Sequence, residues 1–195
     1  MKKYQIIYAD PPWDFGNRMY SSNKNDHHRE ISRAYNVMTT KDICDLPIDK
    51  ITDNNCILFI WTTDAHIPDC LKVINAWGFK YKTVGFYWLK KELSGKQVCY
   101  MGQWTMKNGE LCLLATKGKM TQYLKCRKIR QLTEAKRDRT KHSKKPQEIR
   151  DKIIEMFGSQ LNKIELFARE KTKGWDVWGN EVKSDIDLTK LKEDL

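Results

Sequence analysis

Five short apolar runs punctuate the chain: YQIIYA (4–9), CILFIW (56–61), TVGFYWL (83–89), LCLLAT (111–116) and KIELFA (163–168). Each has the length of a strand, and most are rich in β-branched or aromatic residues. Their apolarity is continuous rather than alternating. That predicts burial on both faces, as in a mostly parallel sheet with helices on both faces. Two helical patterns stand out. In DAHIPDCLKVINAWGF (64–79), Asp64 suits an N-cap, Ile67, Leu71 and Ile74 form the apolar face, and Gly78 stops the helix. In KPQEIRDKIIEMFG (145–158), Pro146 falls in the first turn, Ile149, Ile153 and Phe157 share one face, and Gly158 follows. A shorter helix is expected after Thr40, in TKDICDL. Strands alternating with helices give an α/β open sheet. Trp61, Trp77 and Trp88 read as core.

Two long stretches escape this pattern. Residues 14–38 are polar and full of Asn, Ser and His, and residues 117–144 are basic. Unstructured stretches this long are functional or disordered in a compact domain. The first reads as a flexible active-site loop and the second as a nucleic-acid-binding loop. Residues 1–182 then form a single domain, and the charged tail 183–195 is expected to pack weakly.

The net charge of +11 sharpens the reading of the second stretch. Between Lys117 and Lys145 twelve Lys and Arg face only Glu134 and Asp138, while the rest of the chain is close to neutral. Basicity confined to one segment points to a polyanion bound at one face. A solvated loop without a partner is the plainer alternative. No apolar run has membrane-span length, so no membrane association is expected. Strand-like sequence begins at Lys3, which argues against a signal peptide. The six cysteines (44, 56, 70, 99, 112, 126) contain no Cys-x-x-Cys pair, which argues against zinc and against a disulfide framework. A reducing, cytoplasmic location follows. His27, His28 and Glu30 lack further metal-ligating company, and no metal is expected.

The chemistry concentrates where the first strand ends, at Asp10-Pro11-Pro12-Trp13. Ligand sites in open α/β sheets lie beyond the carboxyl ends of strands. Two prolines make a stiff turn whose carbonyls lack local N–H partners. A carboxylate and a rigid carbonyl together suit a group with two donor hydrogens, such as an exocyclic amine. Trp13 offers a face on which a base can stack. An ordinary strand-ending turn is the alternative for these four residues alone.

The tetrad resembles the signature of amino-group nucleic-acid methyltransferases, Asp/Asn/Ser-Pro-Pro followed by an aromatic. Its Trp version resembles the N(6)-adenine methyltransferase family named after the catalytic subunit of the messenger-RNA adenosine methyltransferase. The resemblance continues in order through AYNVMTTKDICDLPI (34–48), LFIWTT (58–63), GFYWLKK (85–91), GQWTMKNGELCLLATKG (102–118), HSKKPQEI (142–149), KIELFAR (163–169) and GWDVWGNE (174–181), and spans residues 4–182. It implies a Rossmann-like fold with permuted motif order, in which KIELFAR serves as the cofactor strand. That accounts for the missing Gly-x-Gly-x-x-Gly.

The resemblance also implies S-adenosylmethionine as cofactor and adenine as methyl acceptor. Asp10 and the Pro11 carbonyl would clamp the amine and aim its lone pair. Alignment of this kind is worth about 7–11 kcal/mol. The implied cofactor contacts are Asp10, Lys145, Arg169, Lys171, Thr172, Asn180 and Glu181. The implied substrate contacts are Tyr35 and Trp104, with Lys125, Arg127, Lys128, Arg130, Arg137 and Arg139 of the basic segment holding phosphates. The absence of an appended Cys/His zinc module favours DNA, in a prokaryotic or phage modification system. RNA adenine methylation and a non-catalytic nucleic-acid-binding subunit stand as alternatives. A homodimer is plausible by the same resemblance.

Overall fold

The first strand, β1 (Tyr4–Ala9), is paired on both edges, and this decides where the site lies. The computed structural model describes residues 2–14, 37–102, 104–138 and 144–193. After β1 come α1 (Thr40–Cys44), β2 (Thr52–Thr62), α2 (Ile67–Ala76), β3 (Lys80–Lys91), β4 (Gly109–Lys117), β5 (Leu132–Lys136), α3 (Gln147–Phe157), β6 (Lys163–Leu166), β7 (Asp176–Trp178) and α4 (Leu188–Glu193). The strands form one seven-stranded sheet in the order β5-β3-β4-β2-β1-β6-β7.

The sheet is mixed. β4 runs antiparallel to both β2 and β3, whereas the other neighbouring pairs are parallel. The cause is the β3–β4 connection, which returns directly without a crossover helix and so reverses direction. The remaining six strands all point the same way, and their carboxyl ends gather at one edge. From β1 the chain proceeds to β2 on one side, and from β6 to β7 on the other. The carboxyl ends of β1 and β6 therefore flank a topological switch point, the place where such sheets bind ligands.

Continuous apolarity in the strands reflects two cores. Ile7, Ala9, Leu58, Ile60 and Leu166 face α1, α2 and Leu188. Ile6, Tyr8, Phe59, Trp61 and Trp88 face α3 and Trp175. Alternate residues of one strand thus feed opposite faces. The predicted face of α3 is the buried one: Ile149, Ile153 and Phe157. The predicted face of α2 is rotated. Asp69, Cys70, Val73 and Ile74 are buried and Leu71 is exposed, and a 3-10 turn at Asp64–His66 takes the place of the helical start expected at Asp64. Gly78, at φ +78°, ends this helix in the left-handed conformation that glycine favours. The Trp77 indole N–H donates to the Ile43 carbonyl at 2.9 Å and ties α2 to α1.

Residues 15–36 of the first irregular stretch, with His27, His28 and Glu30, lie outside the described residues, whereas the basic segment and the tail contain regular structure. Residues 132–136 of the basic segment form β5 and extend the sheet beside β3. The tail also docks. Leu188 is fully buried, and Asp185 exchanges two hydrogen bonds with Val177 of β7, at 2.8 and 3.0 Å. No described helix is long and apolar enough to cross a membrane.

Candidate active site

Asp10 leaves β1 at the switch point, and its backbone N–H donates to the Leu166 carbonyl of β6 at 3.4 Å. The prolines that follow remove two donors and stiffen the exit. Their carbonyls do have partners. The Pro11 carbonyl accepts the Trp13 N–H and the Pro12 carbonyl accepts the Met38 N–H, each at 2.9 Å. A carbonyl has two lone pairs, so Pro11 retains one for a ligand.

Trp13 anchors this turn. It is 6% exposed, its indole N–H donates to the Trp61 carbonyl at 3.0 Å, and its ring stacks on His66 at 5.7 Å and 19°. His66 in turn meets the Thr63 hydroxyl at 2.8 Å and the Asp14 carbonyl at 3.1 Å. One indole face is therefore occupied by an imidazole. The exposed base-stacking surface expected of Trp13 is not how this side chain is arranged.

The Asp10 carboxylate is held by the Lys145 ammonium at 2.8 Å. Lys145 sits just before α3, is almost fully buried, and also contacts Glu110 of β4 at 3.2 Å. Glu110 binds Lys90 of β3 through its other oxygen. A charged chain thus runs Lys90–Glu110–Lys145–Asp10 across the carboxyl edge. Burial pushes the Glu110 carboxyl up, but the Lys145 and Lys90 ammoniums outweigh it and hold it down to about 2. Burial pushes the Lys145 amine down, and Asp10 with Glu110 raises it further than burial lowers it. Glu110 and Lys145 are therefore both charged near neutral pH.

Beside Asp10 lies a cleft lined by Lys144, Lys145, Phe167, Arg169 and Glu170. Phe167, at φ 61°, is the one described non-glycine residue with positive φ, and its ring meets Trp178 edge-on at 5.3 Å. Strained backbone of this kind is concentrated at functional sites. Under the cleft Arg150 of α3 pairs with Glu165 of β6 at 2.8 Å, both almost fully buried. The loops after β6 and β7 touch closely. A Cβ on Gly179 would lie 2.1 Å from the Ala168 carbonyl oxygen, so only glycine fits there. This contact brings Arg169 to within 3.7 Å of Glu181, with Asn180 beside it.

Asp10, Lys145 and Arg169 are thus brought together, with Asn180 and Glu181 at the rim. Lys171 and Thr172 are not among the cleft-lining residues. The Lys171 ammonium binds Asp185 at 2.6 Å, and the Thr172 carbonyl closes the turn to Trp175. Tyr35 and Arg139 lie outside the described residues. Lys125, Arg127, Lys128 and Arg130 are exposed on a strap that crosses α3. The strap is pinned where the Lys125 N–H donates to the Met156 carbonyl at 2.7 Å, and where the Lys152 ammonium meets the Arg130 carbonyl at 2.9 Å. Lys125 is therefore at the end of α3 remote from Lys145, about 16 Å away for eleven helical residues. Arg137 stands at the carboxyl edge and binds both Glu92 and the Tyr100 hydroxyl at 2.6 Å. Trp104 is 90% exposed.

Sequence reasoning missed Glu110, Lys90, Arg150 and Glu165. The signal for both acids was a charge inside an otherwise apolar strand, in GELCLL and KIELFA. A buried carboxylate needs a cation, and both have one.

These features define an α/β enzyme with an acidic residue and a ligand cleft at the switch point of its sheet. Residues 4–181 match the MT-A70 family model, and the chain belongs to that family. It is 39% identical over 192 residues to the type II methyltransferase M.MunI of a Mycoplasma species, covering 93% of this chain and 78% of that protein. It is 28% identical to the N6-methyladenosine RNA methyltransferase MTA1 of Pyricularia oryzae, covering 92% of this chain and 47% of that protein. It is also 28% identical to the N(6)-adenine-specific methyltransferase METTL4 of Mus musculus, covering 93% and 38%. Family membership implies S-adenosylmethionine. The donor set fits it: a carboxylate and cations for an amino-acid end, amide and carboxylate acceptors for a diol, and a glycine-dependent close loop contact between them.

Proposed function

We infer that this chain transfers a methyl group from S-adenosylmethionine to the 6-amino group of adenine in DNA. The observation that carries this reading is Asp10, fixed by Lys145 at the carboxyl end of β1 beside the cleft. The type II methyltransferase relative supports DNA, and with it a restriction-modification setting.

S-adenosylmethionine supplies an electrophilic methyl group when bound. The chain's own residues do the rest. The Asp10 carboxylate and the second lone pair of the Pro11 carbonyl accept the two amino hydrogens of an extruded adenine. Lys145 fixes the direction of the Asp10 carboxylate, which accepts the proton that the amine loses. Trp13 holds the turn through Trp61 and His66. Arg169 and Lys144 attract the cofactor carboxylate, and Asn180 and Glu181 accept from the ribose hydroxyls. The Rossmann-like, permuted arrangement follows from β6 serving as the cofactor strand next to β1.

RNA adenine is the second reading, favoured by the MTA1 relative. Labelled-methyl transfer to matched DNA and RNA pools decides between them. The expected product is N(6)-methyladenine in DNA, with Asp10→Asn lower by about a thousandfold and equally folded by circular dichroism. Label in RNA alone overturns the DNA assignment. Equal activity of Asp10→Asn overturns the role of Asp10.

A further inference from the structure

The β3–β4 connection is a folded excursion at the carboxyl edge. Its base is a turn in which the Glu92 N–H donates to the Lys96 carbonyl at 2.8 Å and the Val98 N–H to the Lys90 carbonyl at 2.9 Å. Its outer part closes through paired hydrogen bonds between Tyr100 and Lys107, at 2.7 and 2.8 Å. The tip beyond carries Met101, 88% exposed, Trp104, 90% exposed, and Met106, 55% exposed. The tip is closed on itself, since a Cβ on Gly102 would lie 2.2 Å from the Thr105 carbonyl oxygen. The base is tied down by Arg137, which binds Glu92 and Tyr100, and by Lys107 facing Asp64 at 3.8 Å. A braced tip that presents an indole and two thioethers to solvent marks a contact surface.

The occupant is decided by charge and place. Residues 99–108 contain no Asp or Glu. Beneath them Lys91 ends β3 and Lys136 ends β5, with Lys91 paired to Glu134 at 3.0 Å and Arg137, just after β5, paired to Glu92 at 2.6 Å. The two strands that carry the tip also carry Lys90 and Glu110, the outer members of the chain that reaches Asp10. Trp104 precedes Glu110 by six residues, at most about 20 Å of extended chain. That is less than one turn of duplex, about 34 Å. The tip therefore lies within one duplex turn of Asp10, inside the footprint of a duplex centred there.

An adenine inside a duplex must leave the stack to reach Asp10, and the gap it leaves closes unless something fills it. Exposed apolar side chains inserted between base steps do this in other DNA-binding architectures. We propose that Trp104, flanked by Met101 and Met106, inserts into the base stack beside the extruded adenine and holds the duplex open during methylation. This rests on the methyltransferase reading and assigns Trp104 as a positioning residue for double-stranded substrate.

The test compares the wild type, Trp104→Ala and Trp104→Phe. Methyl transfer from labelled S-adenosylmethionine is measured on one unmethylated DNA, as duplex and after heat denaturation. Trp104→Ala is expected to lower the duplex-to-single-strand ratio of kcat/KM about tenfold, which corresponds to losing part of the unstacking energy. Trp104→Phe is expected to restore most of that ratio. An unchanged ratio overturns the proposal. So does a wild-type dimer that Trp104→Ala converts to a monomer in sedimentation, which would assign the tip to a second copy. Failure of the wild type on both DNA forms overturns the DNA methyltransferase reading on which the proposal rests. Wild-type activity with an unchanged ratio in Trp104→Ala overturns only the insertion.

Discussion

At Lys145 one ammonium serves two carboxylates, Asp10 and Glu110. Glu110 is the sensitive member. Its carboxyl lies at about 2, below the ordinary 4.5, so its ionised form stabilises the fold. That contribution is fully present above pH 4.5 and is lost as the pH falls toward 2. Its size is ~3 kcal/mol. Lys145 has the opposite sign. Its raised value keeps its contribution present below 10.5 and loses it as the pH climbs through the folded value. Glu110→Gln is therefore expected to flatten the fall in unfolding free energy between pH 5 and pH 3, measured by denaturant titration. An acid limb as steep as that of the wild type would remove Glu110 from the network. The tetrad was legible through the ordered blocks that follow it, since the four residues alone also suit a plain strand-ending turn. Glu110 was not, because its partners come from Lys90 and Lys145, on separate elements, and no local spacing encodes them. Trp13 was legible as an aromatic position but not as an anchor, since the Trp61 carbonyl and His66 reach it only in the folded chain.

The loops after β6 and β7 meet at Gly179, and the placing of Arg169 against Glu181 depends on how closely they approach. Gly179→Ala places a methyl group 2.1 Å from the Ala168 oxygen, and the loops must separate. The expected result is S-adenosylmethionine affinity lower by about tenfold, a cost of about 1–3 kcal/mol for overpacking, read by calorimetric titration. Unchanged affinity would show that Asn180 and Glu181 do not contribute through this contact. The strands that the sequence revealed are those with apolar residues on both faces. β5 and β7 lack that signature. In β5 only Thr133 and Ala135 are buried, because it is an edge strand paired only with β3. β7 has three residues, too few for any period to show. The start of α2 has a similar origin, since a 3-10 turn takes up Asp64–His66, which an apolar period does not distinguish from a first helical turn.

The basic segment is not one patch. It runs as a strap from the remote end of α3 up to the carboxyl edge, where Lys136 and Arg137 end β5. Lys125, Arg127, Lys128 and Arg130 are exposed along it. Four phosphates neutralised by these four give about a hundredfold loss of DNA affinity between 50 and 200 mM salt. Replacing all four with Gln is expected to reduce the log–log salt slope by about one unit for each cation, measured by fluorescence anisotropy. An unchanged slope would move the phosphate footprint away from the strap. Composition alone located this charge along the sequence. Its spread over the surface followed from backbone contacts, chiefly those of Met156 and Lys152, that composition does not contain.

The pairing of β1 with β6 has a consequence for how the protein comes into being. β1 is made first, and one of its two edges stays open until residues 163–166 are available. At 5–20 residues per second a ribosome takes about 8–30 s to supply them. Throughout that interval Ile6 to Ala9 present an unsatisfied, apolar ladder to the cell. Asp10 likewise has neither Lys145 nor the Leu166 carbonyl to hold it. The nascent chain is therefore catalytically silent until β6 has been translated, and termination before that point yields an inactive product with an exposed sheet edge rather than an unregulated partial enzyme.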